Sequence, residues 1–130
     1  MFPFEFTVFG SPISLQTNNR ALLQSWKAKV RQTALSHLPT DAIPTREPVI
    51  VEIVYYYKIA PLDIDDIAKP ILDALNLLVY IDKRQITDLI IRKRLLYPSS
   101  DREKISPAIA LALTQNQPFI YVKVEISSYI

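Results

Sequence analysis

The chain has 130 residues, 49% of them hydrophobic and 22% charged, which is enough to bury one core and too apolar for a disordered protein. Its net charge is only +2, so the placement of charge matters more than the total. No apolar run is long enough to span a membrane, and the absence of cysteine excludes disulfides and thiolate metal sites, a composition that fits a cytoplasmic protein.

The opening MFPFEFTVFG has no basic segment ahead of its apolar residues and reads as a strand rather than a signal peptide. Phe2, Phe4, Phe6 and Val8 alternate with Pro3, Glu5, Thr7 and Phe9, and Gly10-Ser11-Pro12 ends the run in a turn. Leu23, Trp26, Val30 and Ala34 mark one face of a helix from about Arg20 to Leu38. Arg20, Gln24, Lys27 and Arg31 share the opposite face, either solvated or in contact with phosphate. Three prolines, Pro39, Pro44 and Pro48, bracket a loop before a strand from Val49 to Lys58. That strand is apolar on both sides, as a central strand is, and carries Tyr55, Tyr56 and Tyr57 for packing or for stacking on bases.

Six of the thirteen acids then fall between Asp63 and Asp88. Asp63 and Asp65 are two apart, so an extended backbone projects both carboxylates to one side. Two like charges so close repel unless a cation sits between them. From Asp65 onward Ile67, Ile71, Leu75 and Leu78 make a helical stripe, with Asp66, Lys69, Asp73 and Asn76 on another face and Pro70 inside. A tight connection at 81–84 leads into a third strand, Gln85 to Tyr97. Ser106-Pro107 opens a short helix to about Gln115, and Phe119 to Ile126 is the last strand. The expected order is β-α-β-α-β-α-β, one α/β domain over residues 1–130 with helices packed on a single mixed sheet whose strand order is left open.

Several chemistries are excluded. His37 is the only histidine, so histidine-rich zinc sites are impossible, and one glycine cannot build a phosphate-cradling loop. Hard-metal chemistry on carboxylate oxygens remains, the kind that Mg²⁺ uses on phosphodiesters.

The run Asp63-x-Asp65-Asp66-x-x-Lys69-x-x-x-Asp73-Ala74-Leu75-Asn76, followed by Val79-Tyr80-x-Asp82-x-x-Gln85-Ile86, resembles the RusA family of Holliday junction resolvases. The resemblance implies a Mg²⁺-dependent endodeoxyribonuclease, with Mn²⁺ as a substitute, working as a homodimer that nicks opposed strands of a four-way DNA junction. It makes Asp63, Asp65 and a carboxylate at 82–83 the metal ligands and Lys69 a base or phosphate contact. Asp66 stands where the family has Asn, and Leu77 where many members have Gly. Lys83 replaces the second Asp of the family's pair, leaving Asp82, with Asp88 as the other candidate for third ligand. Two readings follow: an active junction nuclease, or a junction-binding protein whose metal site Lys83 has weakened.

Seven of the fifteen basic residues lie between Lys83 and Lys104. Lys83, Arg84, Arg92 and Arg94 are the candidate DNA contacts, a basic rim beside the acids, with Arg102 and Lys104 beyond. Charges on an edge strand also serve simply to block aggregation.

Overall fold

The computed structural model describes residues 1–59, 62–96 and 105–128. Its elements run β1 (Phe4–Phe9), α1 (Arg20–His37), β2 (Val49–Tyr57), α2 (Ile64–Leu75), β3 (Ile86–Leu95), α3 (Pro107–Leu113) and β4 (Phe119–Ile126). A 3-10 turn, Lys83–Gln85, leads into β3. The four strands form one open mixed sheet in the order β1-β4-β2-β3. Only β2 and β3 are parallel, joined over the sheet by α2, while β4 runs antiparallel to both of its neighbours.

The central place of β2 explains its apolar character on both sides. Val51, Ile53 and Tyr55 join the large core with α1 and α2. Val54 and Tyr56 face the other way, into a smaller core with α3. Helices thus cover both faces of the sheet. Tyr55 and Tyr56 are buried, with Tyr56 stacked on Phe119, so these rings are packing rather than a surface for bases. The stripe Leu23, Trp26, Val30 and Ala34 is the buried face of α1, whose first turn is capped by the Asn19 side chain accepting from Leu22 N. Ser106 caps α3 ahead of Pro107 in the same manner. Among the described residues no helix is long and apolar enough to cross a membrane.

One departure from expectation bears on the site: α2 begins at Ile64, so Asp63 is its N-cap and Asp65 lies inside its first turn, not on an extended backbone. Pro70 lies inside the helix, as expected. A proline nitrogen has no proton for the carbonyl four residues back, which here belongs to Asp66. Leu15 N, from the loop between β1 and α1, donates to that carbonyl at 3.4 Å. The proline therefore opens an acceptor that ties a distant loop to the start of α2. The expected end of β3 at Tyr97, like Arg102 and Lys104, lies outside the described residues.

The far end of α2 is equally well held. The last carbonyls of a helix lack intrahelical donors. Tyr80 Oη donates to Leu72 O at 2.6 Å, and the Arg31 guanidinium donates to Ala74 O and Asn76 O at 3.1 and 3.0 Å. Burial pushes the Tyr80 hydroxyl well above its ordinary range, so it stays a donor. Arg31 is therefore a helix cap, favoured by the negative end of the helix dipole, and not a phosphate contact. Beyond it Leu77 sits at φ 65°, in the left-handed region that glycine adopts without strain and a leucine does not.

Candidate functional site

Asp63 and Asp65 both lie at the N-terminal end of α2, beyond the carboxyl ends of the parallel strands, where ligands bind in open α/β sheets. Aspartate is among the strongest N-cap residues because its carboxylate accepts a backbone N–H, yet Asp63 makes no side-chain cap bond. Its carboxylate and that of Asp65 are exposed, and neither has an ion pair among the described residues. The bland account is that acids at a helix start are favoured by the dipole. That account covers the charges of Asp63, Asp65 and Asp66, but not why Asp63, at the capping position, makes no side-chain cap bond.

Lys69 is one turn beyond Asp65 on the same side of the helix, exposed and also without an ion pair among the described residues. Its natural helix partner four residues on, Asp73, is already engaged. Lys83 Nζ donates to Asp73 Oδ1 at 2.5 Å, and Lys27 Nζ from α1 lies 3.5 Å from Oδ2. The side chain of Lys83 thus points at α2.

Asp82 is not brought to Asp63 and Asp65. It lies toward the other end of α2, a helix of 12 residues and therefore about 18 Å long. There Asp82 accepts Arg84 N at 2.8 Å and pairs with the Arg84 guanidinium at 3.1 Å, while Gln85 Oε1 accepts Asp82 N, a reciprocal capping box. The Arg84 backbone bond, then its guanidinium, hold the Asp82 carboxyl below its usual range. Gln85 Nε2 also donates to Thr45 O and Glu47 O, which uses all four valences of the amide. The D-x-x-Q spacing is thus a folding device in this chain.

Asp88 lies on the opposite face of the sheet. On β3 the residues Asp88, Ile90, Arg92 and Arg94 lie in register with Ile50, Glu52, Val54 and Tyr56, the sheet face away from α2. Arg92 forms an ion pair with Glu52 there, and Arg94 donates to Lys93 O. These two arginines do not rim the carboxylates. Lys93 does: it is on the α2 side of β3, and its Nζ donates to Leu62 O at 3.2 Å, one residue before Asp63. Strand parity in the sequence already separated Lys93 from its neighbours, but not which parity meets α2. His37 Nδ1 lies 2.9 Å from Thr33 O of its own helix and takes no part.

Among the described residues no three acids or histidines come together as a metal-holding group. Two exposed carboxylates at one helix end nevertheless suit Mg²⁺, which binds through one or two carboxylates and keeps water and phosphate oxygens as its other ligands. The donor set fits a divalent ion at Asp63 and Asp65.

The ion pair at Asp73 carries a pH signature. Partial burial pulls its pKa up, but the Lys83 hydrogen bond and charge, with those of Lys27, outweigh this and leave it below the usual carboxylate range. A depressed carboxyl stabilises the fold above its unfolded pKa, about 3.9, and loses that contribution as pH falls through the folded value. Urea titrations of the wild type and Asp73→Asn should differ by about 1 kcal/mol above pH ~5, and the gap should close below pH ~4. A gap independent of pH would mean that the pair adds nothing electrostatic.

The family model described as Endodeoxyribonuclease RusA matches residues 9–125, nearly the whole chain. No curated protein matches it.

Proposed function

The chain belongs to the RusA endodeoxyribonuclease family, and from that premise we propose that it is a homodimeric enzyme hydrolysing phosphodiester bonds of four-way DNA junctions with a divalent ion, Mg²⁺, held at the start of α2. Nucleases of this family are generally dependent on a divalent metal. The observation that carries the reading is the Asp63 carboxylate, at a capping position and unused for capping, beside Asp65 and one turn from the exposed Lys69.

Asp63 and Asp65 would hold the ion. A divalent ion there would supply Lewis acidity, to a phosphate oxygen and to water that loses its proton more readily near neutral pH. Lys69 holds a phosphate oxygen or carries a proton in the same step. Lys93 ties the backbone at Leu62, the residue before Asp63. The DNA strand lies along the exposed stripe of α2, from Asp65 past Lys69 toward Lys83 and Arg84 at the other end. Arg84, at that end, has its side chain 90% accessible.

Nicking of a synthetic four-way junction, with and without Mg²⁺ and beside a linear duplex of the same sequence, tests the reading. Cleavage of the junction only with metal is expected, and no cleavage at any metal concentration would overturn it. A second reading, a junction-binding protein that does not cut, rests on Lys83 standing where the family has an acid. That reading requires a gel shift in EDTA without nicking in Mg²⁺. Arg84→Ala should lower the slope of log binding constant against log salt by about 1, because one fewer phosphate is neutralised, with the metal requirement unchanged. An unmoved slope would put the strand elsewhere.

A further inference from the structure

At the end of the sheet, β3 offers ten residues of strand whose outer edge no other described strand covers. Three of its apolar side chains are exposed, Leu89 at 43%, Ile90 at 37% and Leu95 at 57%. The opposite edge strand, β1, alternates buried and half-buried residues instead. A long, partly apolar open edge is a template for another strand. Its charges decide which one.

We propose that β3 pairs antiparallel with β3 of a second copy, in the register centred on Ile91. That register sets Asp88 opposite Arg94 of the partner copy and Arg94 opposite Asp88, on the same sheet face. Both side chains are exposed and neither has an ion pair among the described residues. Ile90 then lies opposite Arg92, and Leu89 opposite Lys93, so no like charges face each other and each of these exposed apolar residues meets the stem of a long cation. Shifting the centre by one residue to Arg92 sets two guanidiniums against each other. Self-complementarity of this kind is what a two-fold interface requires.

The pairing extends the sheet to eight strands, β1-β4-β2-β3 and its mirror order. A two-fold between antiparallel strands is perpendicular to the sheet, so α2 of each copy lies on the same face. Both Asp63–Asp65 ends would thus address one side of the dimer. This use of the surface rests on the homodimeric nuclease reading above; the surface itself rests on β3.

The test is mass in solution. Wild-type protein should sediment as a dimer, while Arg94→Asp and Asp88→Arg should each be monomeric at the same concentration. Mixing these two variants should give a heterodimer, and the double variant Asp88→Arg/Arg94→Asp should dimerise with itself. Because the chain has no cysteine, Ile91→Cys supplies a single thiol that should cross-link symmetrically on oxidation. Circular dichroism would check that each variant folds. A monomeric wild type overturns the proposal, its edge then being guarded by charge or kept for a different chain. A dimer indifferent to both reversals, or a double variant that stays monomeric, overturns it too. Nicking assays on the same samples keep the readings apart. A nuclease whose dimer ignores the reversals loses this surface alone, and a charge-sensitive dimer that never nicks loses only the nuclease reading.

Discussion

Asp63→Asn and Asp65→Asn should each reduce junction nicking by about three orders of magnitude, since several kcal/mol of charge stabilisation disappear with the bound ion. The substitution keeps side-chain shape and removes only the charge. Among the described residues neither carboxylate makes an ion pair that holds the fold, and Asp63 contributes no side-chain cap, so thermal stability should stay within about 0.5 kcal/mol of wild type. Binding to the junction in EDTA should persist or rise slightly, because the variant carries less negative charge beside the phosphates. Calorimetric titration with Mn²⁺ reads the metal directly, and both variants should lose that heat. A variant that cleaves within a few-fold of wild type is not missing a ligand.

Lys69→Ala should lower turnover by ~10²–10⁴ while the salt dependence of junction binding falls by no more than a single phosphate's worth. Lys69 is exposed, on a helix that alanine extends readily, and Asp73 is already held by Lys83 and Lys27. Folding therefore gains no measurable support from this ammonium, and a loss of turnover reports the chemical step. Lys69→Arg separates the two roles open to it. A guanidinium can hold a phosphate oxygen but does not release a proton near neutral pH. Recovery of turnover by arginine points to charge, and failure to recover points to proton transfer. Lost folding cooperativity with turnover per folded molecule retained would instead make the lysine structural.

How much of this was legible beforehand differs by element. The alternation of β1, the stripe of α1, and the Ser106-Pro107 start of α3 are local patterns whose period matches their backbone geometry, so they read directly. By contrast, β4 is a central strand, buried on both faces from Phe119 to Val122, which its sequence alone did not show. The family motif was legible too, since it is a string of residue types at set intervals. Its two acidic segments had different fates. Asp63 and Asp65 are close in the chain and so share one end of α2, though the helix and not their spacing sets where each carboxylate points. Asp82 was joined to them only by counting residues, and counting does not see that a helix of 12 residues carries the chain away from its start.

The use of each polar group was decided by tertiary structure. Asp82 could ligate a metal or cap a turn, and the same D-x-x-Q serves both until Arg84 and Gln85 are seen to occupy it. Lys83 looked like an intruder among ligands, and only the approach of α2 supplied its partner, Asp73. Arg92, Lys93 and Arg94 are equal as a run of charge, but a strand sends adjacent side chains to opposite faces. Composition and period set which residues share a face. Which face meets α2, and so why Lys93 rather than Arg92 supports the carboxylates, follows from how the sheet is buried: β2 and β3 direct Val51, Ile53 and Ile91 into the large core, and the parity of those side chains carries Lys93 with them.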